Sequence, residues 1–506
     1  MTSRFSRRDF MKFAGLLPLS LAAPRWASGL SAPSDKQNVI IVVFDALSAF
    51  DISALGYQRD TTPNIRRLAK RAIVYHNHYA GSNFTTSGTA SLLTGTLPWT
   101  HRAIEKNGKV APAFVSRTIF DVFEDYFRIA YTHNEWAFTL LNQFHRDVDE
   151  LVARQKLYLK TYDTLLSSLL GNDEDIASVS WVRDMGVGDN HAYSLFLSHL
   201  HDALPNKAVA RLRPEFPRGL PTSGGDDAFL LEQAVDWVGH ALSTVSQPFL
   251  GYFHFLPPHA PYNAPLEYAD RFKGDGFEPV EKPVDPFAID GVVKYPNRFR
   301  TQYDEFILYM DREFARFYDL LSRNGILDNT WLILTSDHGE MFERGIVGHS
   351  AHVLYEPVLR IPLMIFEPGR KTGLDVRSPT SALDLLPTLA HLTGHPIPSW
   401  SEGVVLPPFA SAEQELDRKL YSIRATRNKP EAPLTEASVA LMDGQYKLHY
   451  YFGYSSLKLP DTVKLFDIQA DPEELKDLFL TKKEVGSVLL DHLKQKLAEV
   501  NQPYVR

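Results

Sequence analysis

Short, uninterrupted apolar runs punctuate the chain, each bounded by polar or turn-forming positions. They occupy residues 38–44 (NVIIVVF), 128–132 (RIAYT), 249–255 (FLGYFHF), 331–336 (WLILTS) and 360–366 (RIPLMIF). Hydrophobicity that is continuous rather than alternating marks strands buried on both faces, so these segments predict buried parallel strands. Between them the period changes. TPNIRRLAKRA and TQYDEFILYMDREFARFYDLLSRNG carry apolar residues three and four apart, and the second closes on Gly325, a natural helix terminator. Strands alternating with helices predict an α/β fold with a mainly parallel or mixed central sheet flanked by helices.

The pattern shifts around residues 395–410, where GHPIPSWSEG introduces a polar, Pro- and Ser-rich passage. Beyond it ASVALMDGQYKLHYYF reads as a hairpin turning at Asp443-Gly444. A last helix follows, with Val485, Leu489, Leu493 and Leu497 four apart, a stripe that predicts core packing. The expected layout is a main domain over 36–400, carrying a helical, aromatic-rich insertion at 145–245, and a smaller C-terminal α+β subdomain over 410–506.

Composition narrows the class without naming a function. The chain has 506 residues, 44% hydrophobic and 23% charged, ample for a large core with an appendage. A net charge of −8 offers no basic surplus for nucleic acid. There is no cysteine, which excludes a thiolate nucleophile, a thiolate metal site and a lipidated Cys anchor.

The N-terminus looks like an address. SRRDFMKFAGLLPLSLAAPRWAS sets Arg7-Arg8 ahead of Phe10, Lys12 and an apolar run too short to span a bilayer, followed by small residues suited to cleavage. This predicts a twin-arginine signal peptide over residues 1–28, export by the Tat machinery to the periplasm or beyond, and no membrane span in the mature chain.

Chemistry is expected where strands end, because ligands of open α/β sheets gather at the carboxyl ends of the strands. NVIIVVFD ends in Asp45, and WLILTSDHGE ends in Asp337-His338. Two carboxylates and an imidazole suit a divalent ion such as Mn or Zn. Residues 82–95, SNFTTSGTASLLTG, crowd hydroxyls at what reads as a helix start, with Gly95 ending the helix. A hydroxyl there is a nucleophile only if a cation or base arrives from elsewhere; otherwise Thr85 is a cap. His259 in PPHAPY and His349 in VGHSAH are expected to bind a substrate oxygen or to protonate a leaving group. His352 stays open between site and scaffold, and His254, inside an apolar strand, is expected to be a satisfied core residue.

Six ordered segments now carry a resemblance: VVFDALSAFDISALGYQRDTTPNIRRLA, TASLLTG, PPHAPY, TSDHGE, LYEPVLRIPLMIFEPG and LFDIQADPEELKDL. Together they resemble the sulfatase family of the alkaline-phosphatase superfamily. The resemblance implies that fold, an ester-bond hydrolase and an anionic phosphate- or sulfate-ester substrate, with an envelope lipid or glycan among the candidates.

This chain departs from the family pattern at informative places. The Cys or Ser that such enzymes oxidise to formylglycine falls on Thr85, and the Pro and Arg that follow it fall on Ser87 and Thr89. The second acidic ligand falls on Ala46, and the Gly-Lys-Trp-His segment has only THNEWA in its place, without a lysine. Threonine at this position is similar to phosphoglycerol and phosphoethanolamine transferases. That similarity implies one divalent ion, Mn before Zn, Ca or Mg, held by Asp45, Thr85, Asp337 and His338, with His259 and His349 contacting the transferred group. The expectation is an exported metal-dependent hydrolase or transferase of phosphate esters and diesters acting through a covalent Thr85 intermediate. A sulfatase working without formylglycine and an inactive member that binds envelope polymers are the alternatives.

Overall fold

The computed structural model describes residues 36–159, 209–223, 227–288, 293–410 and 418–505. The expected signal peptide and much of the 145–245 insertion lie outside the described residues. Apolar run 38–44 forms β1 (Asn38–Phe44), every residue of it buried. It is flanked by β5 (Phe249–Phe255) and β6 (Thr330–Thr335), both parallel to it. The other strands of this sheet are β2 (Ile73–Tyr79), β3 (Phe127–Thr132), β4 (Glu150–Leu151), β9 (Arg360–Phe366), β10 (Leu374–Val376) and β11 (Thr380–Ser381), while β7 (Met341–Glu343) and β8 (Ile346–Gly348) pair only with each other. The order is β10-β2-β9-β6-β1-β5-β3-β4, with β11 also on β2.

One strand runs against expectation. β9 is antiparallel to both β6 and β2, not parallel. Its apolar pattern reports burial on both faces, and burial carries no information about direction. The reversal also makes β2 run the same way as β6, so β1, β2, β3, β5 and β6 all deliver their carboxyl ends to one edge.

Alternation along β1 divides the core. Ile40, Val42 and Phe44 face a cluster shared with α4 (Leu231–Leu242) and α5 (Pro296–Arg323), while Val39, Ile41 and Val43 face the opposite layer. That layer is built from α2 (Thr85–Thr94), α3 (Glu135–Gln143) and α6 (Leu385–Leu392). The long helix α5 starts on Pro296 and stops before Gly325, whose φ of 70° suits a residue without a side chain. A short helix, α1 (Pro63–Ala69), completes the TPNIRRLAKRA segment.

After the polar passage near residue 400 the chain builds a second, antiparallel sheet. Its strands are β12 (Leu420–Arg424), β13 (Ala437–Asp443), β14 (Tyr446–Phe452) and β15 (Thr462–Asp467), in that order. The hairpin turns at Gly444, with Asp443 opposite Tyr446. One face of this sheet packs on α7 (Lys483–Asn501) through Leu489, Leu493 and Leu497, with Val485 partly buried beside them. The other face packs on Leu354, Tyr355 and Val358 of the first sheet's loops. Among the described residues, no helix is long and apolar enough to cross a membrane.

Candidate active site

Strand register sets the site. Phe44 lies opposite Phe255, Val43 opposite Thr335 and Thr132 opposite His254, so the residues just beyond these strands emerge level with one another. Asp45, His254, Asp337, His338 and Asn134 meet there, and all are buried. The loop after β2 adds Thr85, the first residue of α2.

That helix is a poor one by sequence, with β-branched residues throughout and Gly88 inside it. All ten of its residues are buried, so packing holds it in place of propensity. Gly88 is needed for the fit: a Cβ there would fall 2.2 Å from the Asp337 carbonyl oxygen. The close approach brings Thr85 Oγ1 to 3.2 Å from His338 Nε2. Phe84, not Thr85, holds the N-cap position, so the hydroxyl is not spent on capping.

The tautomer of His338 follows from its other nitrogen. Nδ1 donates to the Gly339 carbonyl at 2.9 Å, leaving the Nε2 lone pair facing Thr85 and both carboxylates. Nε2 is 3.5 Å from Asp45 Oδ1 and 3.6 Å from Asp337 Oδ2. Asp337 Oδ1 accepts from the backbone N–H groups of Ala46 and His338. Asp45 Oδ1 and Asp337 Oδ2 are buried without a hydrogen-bond partner. Donor atoms of Asp45, Asp337 and His338 all lie within 4.8 Å of one another. Buried, unpartnered carboxylate oxygens beside a free imidazole lone pair fit a divalent cation and leave few other stable explanations.

Two further residues stand at this site, one expected from the sequence to be core and one not singled out there. His254 is not a satisfied core residue. Its Nε2 is unpartnered, 3.4 Å from Asp45 Oδ2 and 3.9 Å from Asp337 Oδ2. Its place inside an apolar strand concealed it, although alternation puts it on the Asp45 face. Asn134, from the THNEWA segment, is the other. Its Oδ1 caps α3 by accepting from Trp136 and Ala137 N–H, which turns Nδ2 to donate to Asp45 Oδ2 at 2.5 Å and to Thr85 Oγ1 at 3.5 Å.

His259 and His349 stand beside this centre. The His349 ring is 4.2 Å from that of His338 and 5.0 Å from that of His259. His349 Nδ1 donates to Glu340 Oε1 at 3.1 Å, and His259 Nδ1 donates to the Ala260 carbonyl at 2.7 Å, so each keeps Nε2 uncommitted. His352 lies apart, with Nδ1 accepting from Arg424 Nε at 3.3 Å and its ring against Tyr454.

The surroundings push these groups in different directions. Burial would raise Asp45, but His259, then His254 and His338, hold it well below the carboxylate range. Asp337 is raised by burial and by Asp45. Burial pushes Glu340 up to about 7. Burial also lowers His349 well below its ordinary value, whereas His259 is raised because Asp45 and Glu340 outweigh its desolvation. Paired imidazoles driven apart in this way divide into a proton donor and a neutral partner.

Comparisons with known proteins bear on the family and the fold. The sulfatase family model matches residues 37–395, and a model of the C-terminal region of N-sulphoglucosamine sulphohydrolase matches 348–503. The choline-sulfatase of Rhizobium meliloti is 27% identical over 473 residues, covering 88% of this chain and 82% of its own. The multifunctional alkaline phosphatase superfamily protein PehA of Trinickia caryophylli is 21% identical, covering 88% of this chain and 91% of its own. Among solved structures, the phosphonate monoester hydrolase of Agrobacterium radiobacter superposes with a TM-score of 0.64 at 19% identity, over 93% of this chain and 96% of its own. A 2-O GAG sulfatase superposes with a TM-score of 0.64 at 17% identity, over 93% and 94% of the two chains.

Proposed function

The chain belongs to the sulfatase family, whose members hydrolyse ester bonds, and we propose that it cleaves phosphate esters through a covalent Thr85 intermediate. The observation that carries this reading is the placement of Thr85 Oγ1 at 3.2 Å from His338 Nε2, within a cluster of buried unpartnered carboxylate oxygens. Asp45, Asp337, His338 and Thr85 would hold the divalent ion. When bound, it supplies positive charge that acidifies the Thr85 hydroxyl and offsets charge on the ester oxygens.

The protein's own groups do the rest. Thr85 Oγ1 loses its proton to solvent and attacks phosphorus, while Asn134 Nδ2 donates a hydrogen bond to the attacking oxygen. The bond between phosphorus and the organic oxygen breaks, and His259 Nε2 gives that oxygen a proton, so the organic group leaves as a neutral alcohol. Water then attacks phosphorus and gives one proton to the Thr85 oxygen, so that phosphate is released and the Thr85 hydroxyl restored, and His259 Nε2 regains its proton from solvent. Transfer to another alcohol follows the same course with that alcohol in place of water.

Threonine favours phosphorus over sulfur here. An alkyl sulfate on Thr85 lacks the geminal hydroxyl by which a formylglycine hydrate expels sulfate, so its release requires attack at sulfur. The second reading, a sulfatase without formylglycine, draws on the choline-sulfatase similarity across most of the chain. Trapping separates them: incubation with aryl phosphate and aryl sulfate esters, followed by mass spectrometry, should find phosphate on the peptide containing Thr85. Sulfate there, with phosphate absent, would install the second reading.

Export is part of the same proposal. Arg7, Arg8, Phe10 and Lys12 support delivery of a folded, metal-loaded protein by the Tat machinery. Replacing Arg7 and Arg8 by Lys should hold the protein in the cytoplasm, as read by fractionation.

A further inference from the structure

Beside the site a cavity of about 460 Å³ opens, lined by Trp136, Tyr262, Phe299, Gln302, Glu340 and His349 among others. A smaller lobe of about 150 Å³ shares Trp136, His259 and Ala260 with it and extends to Asn134, whose amide touches both Asp45 and Thr85. The two lobes form the space into which the organic part of an ester attached at Thr85 must extend. Their walls are unlike the walls needed by a polyanion. Neither lobe has a Lys or an Arg among its described lining residues; the carboxyl groups of Glu340 and Glu135 line them, together with the His259 imidazole, which the reaction commits to the leaving oxygen.

Glu340 stands out within this wall. It is 1% exposed; Oε1 accepts from His349 Nδ1, while Oε2 is buried without a partner. Three aromatic side chains complete the wall, from Tyr262, nearly buried, through Trp136, half-buried, to Phe299, 38% exposed. Aromatic faces and a desolvated carboxyl group are the pair of features that bind an alkylated ammonium: the ring quadrupole and the carboxyl oxygen attract the cation, and the apolar ring surface replaces water around its methyl groups. A second sulfate, phosphate or carboxylate on the organic group would instead meet Glu340, with no Lys or Arg in the lining and the His259 imidazole already engaged by the leaving oxygen.

We propose that the cavity between Trp136, Tyr262, Phe299 and Glu340 selects esters whose organic part is a compact ammonium group on a short alkyl arm, and rejects esters bearing a second anion. This rests on the ester-cleaving reading above and specifies which esters that site takes. Glu340 and the aromatic walls are specificity-determining; the reacting atoms belong to Thr85 and its neighbours. The arm is short because Glu340 is separated from Thr85 only by the His349 and His338 side chains, in contact with each other.

The test compares two matched esters, made as phosphate and as sulfate: trimethylammonioethyl and its uncharged isostere with carbon in place of nitrogen. Purified protein with added Mn should show a kcat/KM at least about tenfold higher for the ammonium ester. Glu340→Gln, which keeps an acceptor for His349 Nδ1, should shrink that ratio, and Phe299→Leu, remote from the reacting atoms, should shrink it less. A ratio near one in the unaltered protein overturns the proposal, as does a ratio indifferent to Glu340→Gln. Turnover of an aryl ester with neither alkyl ester accepted also overturns it while sparing the ester-cleaving reading. Failure with every ester and metal removes both.

Discussion

Two buried clusters of charge in this molecule look alike in composition and differ in completion. Where the C-terminal sheet meets the main domain, Lys447 Nζ lies 2.9 Å from Glu356 Oε1 and 3.0 Å from Glu474 Oε1, all buried. His449 Nε2 reaches the same Glu474 oxygen at 3.2 Å, and Glu474 Oε2 accepts the Glu356 N–H at 2.7 Å. Both clusters hold carboxylate oxygens without a well-directed hydrogen bond, Glu474 Oε1 in the first and Asp45 Oδ1 and Asp337 Oδ2 at the ends of β1 and β6. There, however, Asp45 and Asp337 face each other with two imidazoles and, among the described residues, no lysine or arginine paired to them. The first cluster has its own cation, as a buried charge requires for stability. The second lacks such a partner among the described residues, and the proposed divalent ion would take that part. An internal lysine, more than burial or hydrogen-bond count, separates scaffold from site.

Removing one group from each cluster should expose that difference. Thr85→Ala is expected to lower turnover by about a thousandfold or more, because the covalent route is lost, with little change in folding stability. Steady-state kinetics and urea unfolding on the same preparation give both readings; a variant retaining most of its rate removes Thr85 as nucleophile. Lys447→Met should do the reverse. It strands Glu356 and Glu474 together in the interior, at a cost of about 3–5 kcal/mol, while turnover per folded molecule stays unchanged. If stability holds in that variant, the interface is not maintained by its ion pairs.

Acid should find the completed cluster as well. Burial acts to raise Glu474, but Lys447 and His449 prevail and hold it well below the ordinary glutamate range. A depressed carboxyl group contributes stability above its unfolded value, near 4.5, and that contribution is lost as pH falls from there toward the folded value. Thermal unfolding followed downward from pH 5 should therefore lose on the order of 2 kcal/mol through this group, and Glu474→Gln should flatten the descent. An equally steep descent in the variant would move the acid sensitivity elsewhere.

The same contrast explains what was legible in the sequence. Asp45, Asp337 and His338 could be found because each follows an uninterrupted apolar run, and a polar residue just after such a run lies where open sheets bind ligands. β2 was passed over because IVYHNHY mixes polar and apolar residues near one end of the sheet, and its direction, like that of β9, depends on partners far away in sequence. Asn134 lies unremarked in the THNEWA segment; it caps a helix, and its second role needs the register that sets Thr132 beside His254. His254 shows the same limit: alternation reports which face a side chain takes, not what waits there. Lys447 and Glu474, separated along the chain, gave no sign that they would meet.

The smallest effect tests the comparison most directly, because it concerns the incomplete cluster without its ligand. Asp337 is raised by burial and by the Asp45 carboxylate, so its ionised form opposes folding once pH climbs above the ordinary aspartate range, near 3.8. A raised acid favours the folded state below its unfolded value and loses that advantage as pH rises through the folded one. Asp337→Asn keeps the shape and removes the charge, so the metal-free variant should be more stable than the parent at neutral pH, by about 1 kcal/mol, and no more stable in acid. Added Mn should reverse the order. A parent saturated a hundredfold above its dissociation constant gains about 2.7 kcal/mol, whereas the variant, having lost a ligand, gains little. Melting curves of both proteins, with Mn and with chelator, decide the matter. A variant less stable than the parent even under chelator would mean that Asp337 is already satisfied by the protein, and that the site is complete without a cation.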